Sequence, residues 1–94
     1  MPELSIVVPL YNEAANLQLL YERLNEVMAK MNMPYEYIWV NDGSQDKTMQ
    51  IVKQLAAQDS HIKYLDLSRN FGHQIAVTAG LEYSSGKSIV IIDA

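Results

Sequence analysis

The chain has 94 residues, of which 49% are apolar, and 11 acidic against 7 basic side chains give a net charge of −4. This composition is typical of one small globular domain and argues against a nucleic-acid-binding surface, which needs clustered positive charge. The absence of cysteine excludes a disulfide framework, a thiolate metal site and a cysteine nucleophile.

The longest apolar runs, residues 6–10 and 89–92, are far shorter than the roughly 20 residues of a membrane-spanning helix. The N-terminus also lacks the pattern of a signal peptide. The chain itself is therefore expected to be soluble, without a transmembrane segment.

Four apolar segments rich in β-branched and aromatic residues predict strands at residues 4–9, 35–40, 62–67 and 88–93. Three segments with helical periodicity lie between them. The first helix is predicted to have Asn12 as its N-cap and a buried face of Leu17, Leu20, Tyr21, Leu24, Val27, Met28 and Met31. The second is predicted to begin at Ser44 or Asp46 and to bury Met49, Val52, Leu55 and Ala56.

The third helix has a face of mostly small residues, which would let it lie close to a sheet. These residues are Ala76, Ala79, Gly80 and Tyr83, and Gly86 is the predicted C-terminal cap. The alternation of strands and helices predicts an α/β fold with a Rossmann-like parallel sheet, β-α-β-α-β-α-β, in strand order 3-2-1-4.

The last strand is predicted to be fully buried, yet no further sequence follows to cover its outer edge. We therefore expect the chain to be a fragment that either self-associates through this edge strand or is only marginally stable. In parallel sheets of this kind, the ligand crevice lies beyond the carboxyl ends of the strands, between the first and fourth strands.

Polar residues cluster where each predicted strand ends, at residues 11–13, 41–44 and 69–73 and at Asp93. The Asn-Asp-Gly-Ser run at 41–44 is compatible with a turn and helix cap, for which those residue types are suited. Alternatively, Asp42 accepts hydrogen bonds from the base or ribose of a nucleotide. The coincidence of four polar strand ends at one rim favours a functional site.

Four segments in order resemble the successive motifs of family 2 glycosyltransferases with the GT-A fold. They are Ser-Ile-Val-Val-Pro-Leu-Tyr-Asn-Glu at 5–13, Val-Asn-Asp-Gly-Ser-Gln-Asp-Lys-Thr at 40–48, Ser-Arg-Asn-Phe-Gly-His-Gln at 68–74 and Ile-Ile-Asp-Ala at 91–94. The second and third most resemble bacterial polyprenyl-phosphate glycosyltransferases, which are relatives of dolichol-phosphate mannosyltransferase. The resemblance implies that residues 1–94 are the nucleotide-sugar-binding part of a GT-A domain, truncated within an Asp-x-Asp motif.

The resemblance places the nucleotide contacts on Pro9, Tyr11, Glu13, Val40, Asp42, Asp93 and Ala94. It also makes Asp93 a ligand of Mg²⁺ or Mn²⁺, in a site that is incomplete because the second Asp of the motif is missing. Many relatives have Asp-Asp where this chain has Asn41 and Asp42. We expect little effect of this departure, because the contacting carboxylate is at the second position.

The segment at 68–74 has two interpretations. Arg69 and Gly72 could bind the diphosphate at the start of the third helix, or the segment could simply be a loop that holds that helix in place. His73 is predicted to be structural, because no carboxylate partner is visible in the sequence. His61 is predicted to lie on the surface.

The resemblance implies transfer of a hexose, expected to be glucose, from a UDP-sugar to a polyprenyl phosphate such as undecaprenyl phosphate, with inversion. The longer enzyme of which this chain would be a part, called the parent enzyme below, is expected to be a membrane-bound homo-oligomer at the cytoplasmic face of the membrane. Its catalytic residues are expected to lie beyond residue 94, so that the chain alone is inactive. Alternatives are a flavodoxin-like nucleotide-binding or signalling module and a purely structural fragment. The flavodoxin-like module is disfavoured because neither Gly-x-Gly-x-x-Gly nor the Walker motif Gly-x4-Gly-Lys-Ser/Thr follows the first strand.

Overall fold

The computed structural model describes residues 2–93 as alternating strands and helices. The elements are β1 (Leu4–Leu10), α1 (Ala14–Met31), β2 (Tyr35–Asn41), α2 (Thr48–Gln58), β3 (Ile62–Asp66), α3 (His73–Tyr83) and β4 (Ser88–Ile91). The predicted β-α-β-α-β-α-β order is thus confirmed, although the last strand is two residues shorter than the predicted 88–93.

The four strands form one parallel sheet in the order β3-β2-β1-β4, as predicted. The last pairs of the register join Leu10 to Asn41 between β1 and β2, and Asn41 to Asp66 between β2 and β3. The carboxyl ends of these three strands are therefore level, and the polar residues that follow them meet at one rim.

The sheet is covered by helices on both faces, since alternate strand residues belong to two separate apolar clusters. The larger cluster contains Trp39 and Tyr37 from β2 with Leu17 from α1 and Val52 from α2. Burial of such apolar surface is the main stabilising contribution to folding. The smaller cluster joins Val7, Ile38 and Val40 to Ala76 of α3.

The small-residue face of α3 allows close packing against the sheet. A Cβ added to Gly80 would lie 2.5 Å from Cγ1 of Val7, well inside van der Waals contact. Ala76 is fully buried, but Tyr83 is 51% exposed, so its predicted place on this face is wrong. Gly86 is not the helix cap either, because Ser84 occupies the C-cap position. Instead, Gly86 lies so close to β1 that a Cβ there would be 2.6 Å from Oγ of Ser5.

Two predicted helix starts also need correction. Asn12 is not the N-cap of α1; Glu13 occupies that position, and Asn12 has a φ of 53° in the loop before it. Helix α2 begins at Thr48 and not at Ser44 or Asp46, because the Asp46 carboxylate accepts the Thr48 N–H from outside the helix.

Part of the predicted buried surface is exposed. On α1, Val27 is 55% and Met31 44% exposed, and on β4 the side chains of Ile89, Val90 and Ile91 are 42–46% exposed. The prediction of a fully buried fourth strand is therefore wrong. Strand β4 pairs with β1, and within residues 2–93 its other edge pairs with no strand.

A buried polar cluster around Glu36 ties the amino-terminal ends of the strands together. The Glu36 side chain, which is 3% exposed, accepts hydrogen bonds from Ser5 Oγ at 2.6 Å, Lys63 Nζ at 2.8 Å and the Ser85 N–H at 2.7 Å. Burial raises the pKa of the Glu36 carboxyl, but these bonds outweigh burial and lower that pKa from 4.5 to about 2. The cluster is at the end of the sheet opposite the polar rim, so its role is structural.

Among the helices formed by residues 2–93, none has the length and apolar character needed to cross a bilayer.

Candidate functional site

A cavity of about 390 Å³ lies at the rim where the carboxyl ends of the strands meet. Its lining consists of Pro9, Leu10, Tyr11, Glu13, Asp42, Asn70, Gly72, His73 and Asp93. Each strand of the sheet is followed in sequence by at least one of these residues. As the parallel topology predicts, Asp42 and Asp93 therefore face one cavity although they are far apart in the sequence.

Most of the residues singled out in the sequence meet at this cavity. Six of them line it: Pro9, Tyr11, Glu13, Asp42, Gly72 and Asp93. Val40 does not, because its side chain is fully buried in the cluster beneath α3. Arg69 also lies outside the lining, with its guanidinium 4.8 Å from the centre of the Phe71 ring. Ala94 lies outside the described residues.

Sequence reasoning did not select Asn70 and His73 as site residues. His73 begins α3, and its Nε2 is 3.3 Å from Oδ1 of Asp93, at the end of the chain segment that follows β4. The carboxylate partner of His73 is thus supplied by a distant segment. The only available signal was the place of residues 69–73 after the third strand, on the same rim as the other polar strand ends.

Asp42 lines the cavity and is only 4% exposed. Its Oδ1 accepts the Phe71 N–H at 2.8 Å and its Oδ2 accepts the Gly72 N–H at 3.2 Å. Each carboxylate oxygen can accept a further hydrogen bond. Asp42 can therefore hold the loop before α3 and still serve as an acceptor for a ligand.

The loops after β1 and β2 are joined by reciprocal hydrogen bonds. The Asn12 N–H donates to Ser44 Oγ at 2.9 Å, and the Gln45 N–H donates to Asn12 Oδ1 at 2.8 Å. The Ala14 N–H donates to Oδ2 of Asp46 at 3.2 Å. These contacts fix the chain at Asn12, between Tyr11 and Glu13, and at Ala14, directly after Glu13, and both Tyr11 and Glu13 line the cavity.

The cavity is acidic. Glu13, Asp42 and Asp93 contribute carboxylates, whereas no lysine or arginine between residues 2 and 93 is part of the lining. An anionic ligand such as a diphosphate would therefore need an accompanying cation, because the carboxylates of the lining would repel the negatively charged phosphates.

The residues present supply only part of a divalent-cation site. Residues 2–93 contain no group of three or more His, Cys, Asp or Glu side chains that could hold a metal ion. The exposed Asp93 carboxylate is a suitable hard ligand for Mg²⁺ or Mn²⁺, with His73 beside it. Further oxygen ligands would have to come from a bound diphosphate or from other residues.

Comparison with known proteins identifies the family. The family model described as glycosyl transferase family 2 matches residues 5–94. The chain belongs to glycosyl transferase family 2. This membership removes the support for the flavodoxin-like signalling module considered from the sequence.

Several curated bacterial glycosyltransferases are similar to this family 2 chain. It is 50% identical over 90 residues to the uncharacterized glycosyltransferase YkcC of Bacillus subtilis, covering 96% of this chain and 28% of that protein. It is 40% identical over 93 residues to the undecaprenyl-phosphate 4-deoxy-4-formamido-L-arabinose transferase of Photorhabdus laumondii, covering 98% and 29%. It is 35% identical over 91 residues to the prophage bactoprenol glucosyl transferase homolog of Escherichia coli, covering 97% and 30%. The chain thus spans less than a third of the length of these relatives.

Solved structures show the same fold. S. aureus TarS in complex with UDP is 27% identical and superposes with a TM-score of 0.81, over 97% of this chain and 27% of that one. The mannosyltransferase PcManGT of Pyrobaculum calidifontis, in complex with GDP-Man and Mn²⁺, is 26% identical with a TM-score of 0.78, over 98% and 27%. Together with the strand order, these matches show that the sheet is that of the GT-A glycosyltransferase fold.

Proposed function

We propose that the chain is the nucleotide-sugar-binding part of a GT-A enzyme that transfers a hexose from a UDP-sugar to a polyprenyl phosphate, with inversion at the anomeric carbon. The observation that carries the proposal is the cavity at the carboxyl ends of the strands. It combines an aromatic side chain, Tyr11, with a buried carboxylate, Asp42, and an exposed one, Asp93.

The uridine would occupy the side of the cavity formed by Tyr11 and Asp42. Tyr11 is 43% exposed and offers an apolar ring with a polar tip, which suits contact with a base. Asp42 has acceptor capacity left for a base N–H or a ribose hydroxyl. Pro9 and Glu13, which also line the cavity, would complete this side, whereas the buried Val40 side chain could influence the nucleotide only through the position of its backbone.

The diphosphate would lie towards Asp93. A bound Mg²⁺ or Mn²⁺ would offset the charge that builds on the departing nucleoside diphosphate. Asp93 would contribute a carboxylate ligand and His73 would orient it, while the Gly72 segment would place the start of α3 beside the phosphates. Arg69 would act at most from the periphery, because it lies outside the lining.

The acceptor is proposed from the names of two relatives, an undecaprenyl-phosphate 4-deoxy-4-formamido-L-arabinose transferase and a prophage bactoprenol glucosyl transferase homolog. A polyprenyl phosphate is already an anionic nucleophile, so the enzyme would chiefly position it and stabilise the leaving UDP. Glucose is the proposed sugar. The parent enzyme is proposed to be a membrane-bound homo-oligomer acting at the cytoplasmic face, with catalytic residues outside this chain.

The test is a transfer assay with the parent enzyme in membranes, supplied with radiolabelled UDP-glucose and undecaprenyl phosphate. We expect labelled glucose in a lipid fraction that depends on both the lipid phosphate and a divalent cation. UDP-GlcNAc and UDP-galactose, assayed in parallel, test the choice of sugar. The 94-residue chain alone should produce no labelled lipid, and failure of the parent to transfer from any UDP-sugar would overturn the proposal.

A further inference from the structure

The end of β2 makes close contacts with the loop between β3 and α3, residues 67–72. The Leu67 N–H donates to the Asn41 carbonyl at 2.9 Å, and the Asp42 carboxylate accepts the N–H groups of Phe71 and Gly72. The β3–α3 loop is thus held at its beginning and at its end by two consecutive residues of β2 and its following turn.

Gly43 allows this loop to approach. A Cβ on Gly43 would lie 2.3 Å from both the carbonyl carbon of Arg69 and the backbone nitrogen of Asn70. Those atoms are backbone, so they could make room only if the whole loop moved. Gly43 also has a φ of +70°, which side chains other than glycine rarely adopt.

The loop held in this way forms one wall of the cavity. It supplies Asn70 and Gly72, and it leads directly into His73, the first residue of α3. Gly72 occupies the N-cap position of α3 and has no side chain with which to cap the helix. Asp42, in the turn after β2, therefore accepts the N–H groups at the start of α3 that no side chain of Gly72 can cap.

We infer that Asp42 is a positioning residue in addition to its proposed contact with the nucleotide, and that Asp42 and Gly43 together set the cavity wall formed by Asn70, Gly72 and His73. The consequence for UDP binding rests on the proposed function, but the two hydrogen bonds from the Phe71 and Gly72 N–H groups to Asp42, called the clasp below, are formed by this chain's own residues. The two loop N–H groups donate to different oxygens of Asp42, so an Asn at position 42 would place an NH₂ group opposite one of them and leave that N–H without its acceptor.

The first measurement uses amide hydrogen exchange by NMR on the ligand-free 94-residue chain. In Asp42→Asn, at least one of the amides of Phe71 and Gly72 should exchange at least about tenfold faster than in the wild type, because a lost hydrogen bond removes protection. Amides of β1, at the centre of the sheet, should keep their rates. Equal rates for Phe71 and Gly72 in the two proteins would overturn the clasp, whether or not UDP binds.

The second measurement is UDP affinity by calorimetry in Gly43→Ala, with Gly86→Ala as the matched control. Gly43 is not in the cavity lining, so a change there acts on the ligand through the loop. Gly86→Ala creates a comparable clash, 2.6 Å from Ser5 Oγ, at the far end of the sheet. We expect Gly43→Ala to weaken UDP binding at least about tenfold, while folded Gly86→Ala keeps wild-type affinity.

The outcomes separate this inference from the proposed function. If wild type binds UDP and folded Gly43→Ala binds equally well, the positioning role is overturned while nucleotide binding stands. If wild type does not bind UDP, the proposed function fails, and the exchange rates of Phe71 and Gly72 in Asp42→Asn still decide the clasp. If Gly43→Ala does not fold, the same exchange rates still decide whether Asp42 holds the β3–α3 loop.

Discussion

The side-chain amide of Asn41 donates a hydrogen bond of 2.9 Å to Oδ1 of Asp66, directly across the last register pair of β2 and β3. Asn41 is 3% exposed, and its own Oδ1 accepts the Ser44 N–H at 3.3 Å. Asn41 thus acts as a donor and as an acceptor at once. A carboxylate at this position could accept from Ser44 but could not donate to Asp66.

This geometry changes what we expect of Asn41→Asp. The Asp-Asp sequence of many relatives suggested little effect, but here the substitution places two carboxylates opposite each other and breaks a partly buried hydrogen bond. We expect a loss of about 1–3 kcal/mol in the free energy of unfolding at pH 7, measured by urea denaturation.

The swapped double variant Asn41→Asp with Asp66→Asn is the matched control, because it restores a donor and an acceptor in reversed positions. It should recover most of the stability lost in Asn41→Asp. Unchanged stability in the single variant would show that the Asn41–Asp66 hydrogen bond contributes nothing measurable.

A second prediction concerns Asp46, which links the first turns of two helices. Its Oδ2 accepts the Ala14 N–H of α1 and its Oδ1 accepts the Thr48 N–H of α2. The hydrogen bond from the Thr48 hydroxyl is the main cause that lowers the pKa of the Asp46 carboxyl. Asp46→Ala should lower the melting temperature and speed amide exchange at both Ala14 and Thr48.

Asp46→Asn, with one acceptor oxygen, should retain protection at only one of these two amides. Because the pKa of Asp46 is lowered in the folded chain, the stabilisation is present above the ordinary aspartate pKa and is lost as the pH falls through the folded value. Exchange that speeds up at only one helix start in Asp46→Ala would contradict the double role.

The third prediction is acid destabilisation through Glu36. Its pKa lies at about 2 in the folded chain against 4.5 for the ordinary group. A depressed carboxyl pKa stabilises the fold above the unfolded pKa, and this contribution is lost as the pH falls from about 4.5 to about 2. The loss should be on the order of 3 kcal/mol, since each pKa unit corresponds to about 1.4 kcal/mol.

Urea unfolding at a series of pH values would measure this slope. Glu36→Gln removes the titrating group and should flatten the curve in the same pH window, at the cost of lower stability at neutral pH because Lys63 loses its ionic partner. An identical acid slope in wild type and Glu36→Gln would assign the acid sensitivity to other carboxylates.

The fourth prediction is self-association of the chain through β4. Its outer edge is unpaired within residues 2–93, and Ile89, Val90 and Ile91 are each more than 40% exposed. Unpaired apolar edges of this kind are templates for pairing with another chain. Sedimentation should show oligomers that increase with concentration, and Val90→Lys should reduce them.

Ile75→Lys is the control, because it introduces the same charge at an exposed apolar position, 52% exposed, on α3. It should leave the oligomer population unchanged. A wild-type chain that sediments as a monomer at every concentration would contradict association through this edge.

The strand order and the rim of the site could be predicted because both follow from local signals. Buried parallel strands are recognisable in the sequence as short apolar runs, and the right-handed crossover rule then limits the possible strand orders. Once the order is fixed, Asp42 and Asp93 must face the same crevice whatever separates them in the sequence.

Pairings between distant loops could not be predicted in this way. Nothing in the local sequence shows that Asp46 accepts an N–H group from the start of α1 as well as from the start of α2, or that His73 meets Asp93, because such contacts depend on how two loops lie over the sheet. The roles of Gly43 and Gly86 were missed for the same reason, since the atoms that forbid a Cβ there belong to other segments.

Exposure on β4 and α1 was mispredicted for a different reason. Ile89 and Val27 are apolar and so favour burial, but an apolar side chain is buried only if another element packs against it, and the sequence does not show whether one does. Periodicity identified the face of α1 correctly at Leu17 and Met28, which are buried, and overestimated its width.

The most direct test of nucleotide binding is calorimetric titration of UDP into the 94-residue chain and into Asp42→Asn. Loss of a charge-assisted hydrogen bond should cost about 1.5–3 kcal/mol, so Asp42→Asn should bind UDP roughly ten- to a hundredfold more weakly. Glu22→Gln, which removes the same charge from the exposed face of α1, should bind like the wild type. Absence of UDP binding by the wild-type chain, or equal affinities for wild type and Asp42→Asn, would contradict the assignment of this cavity to the nucleotide.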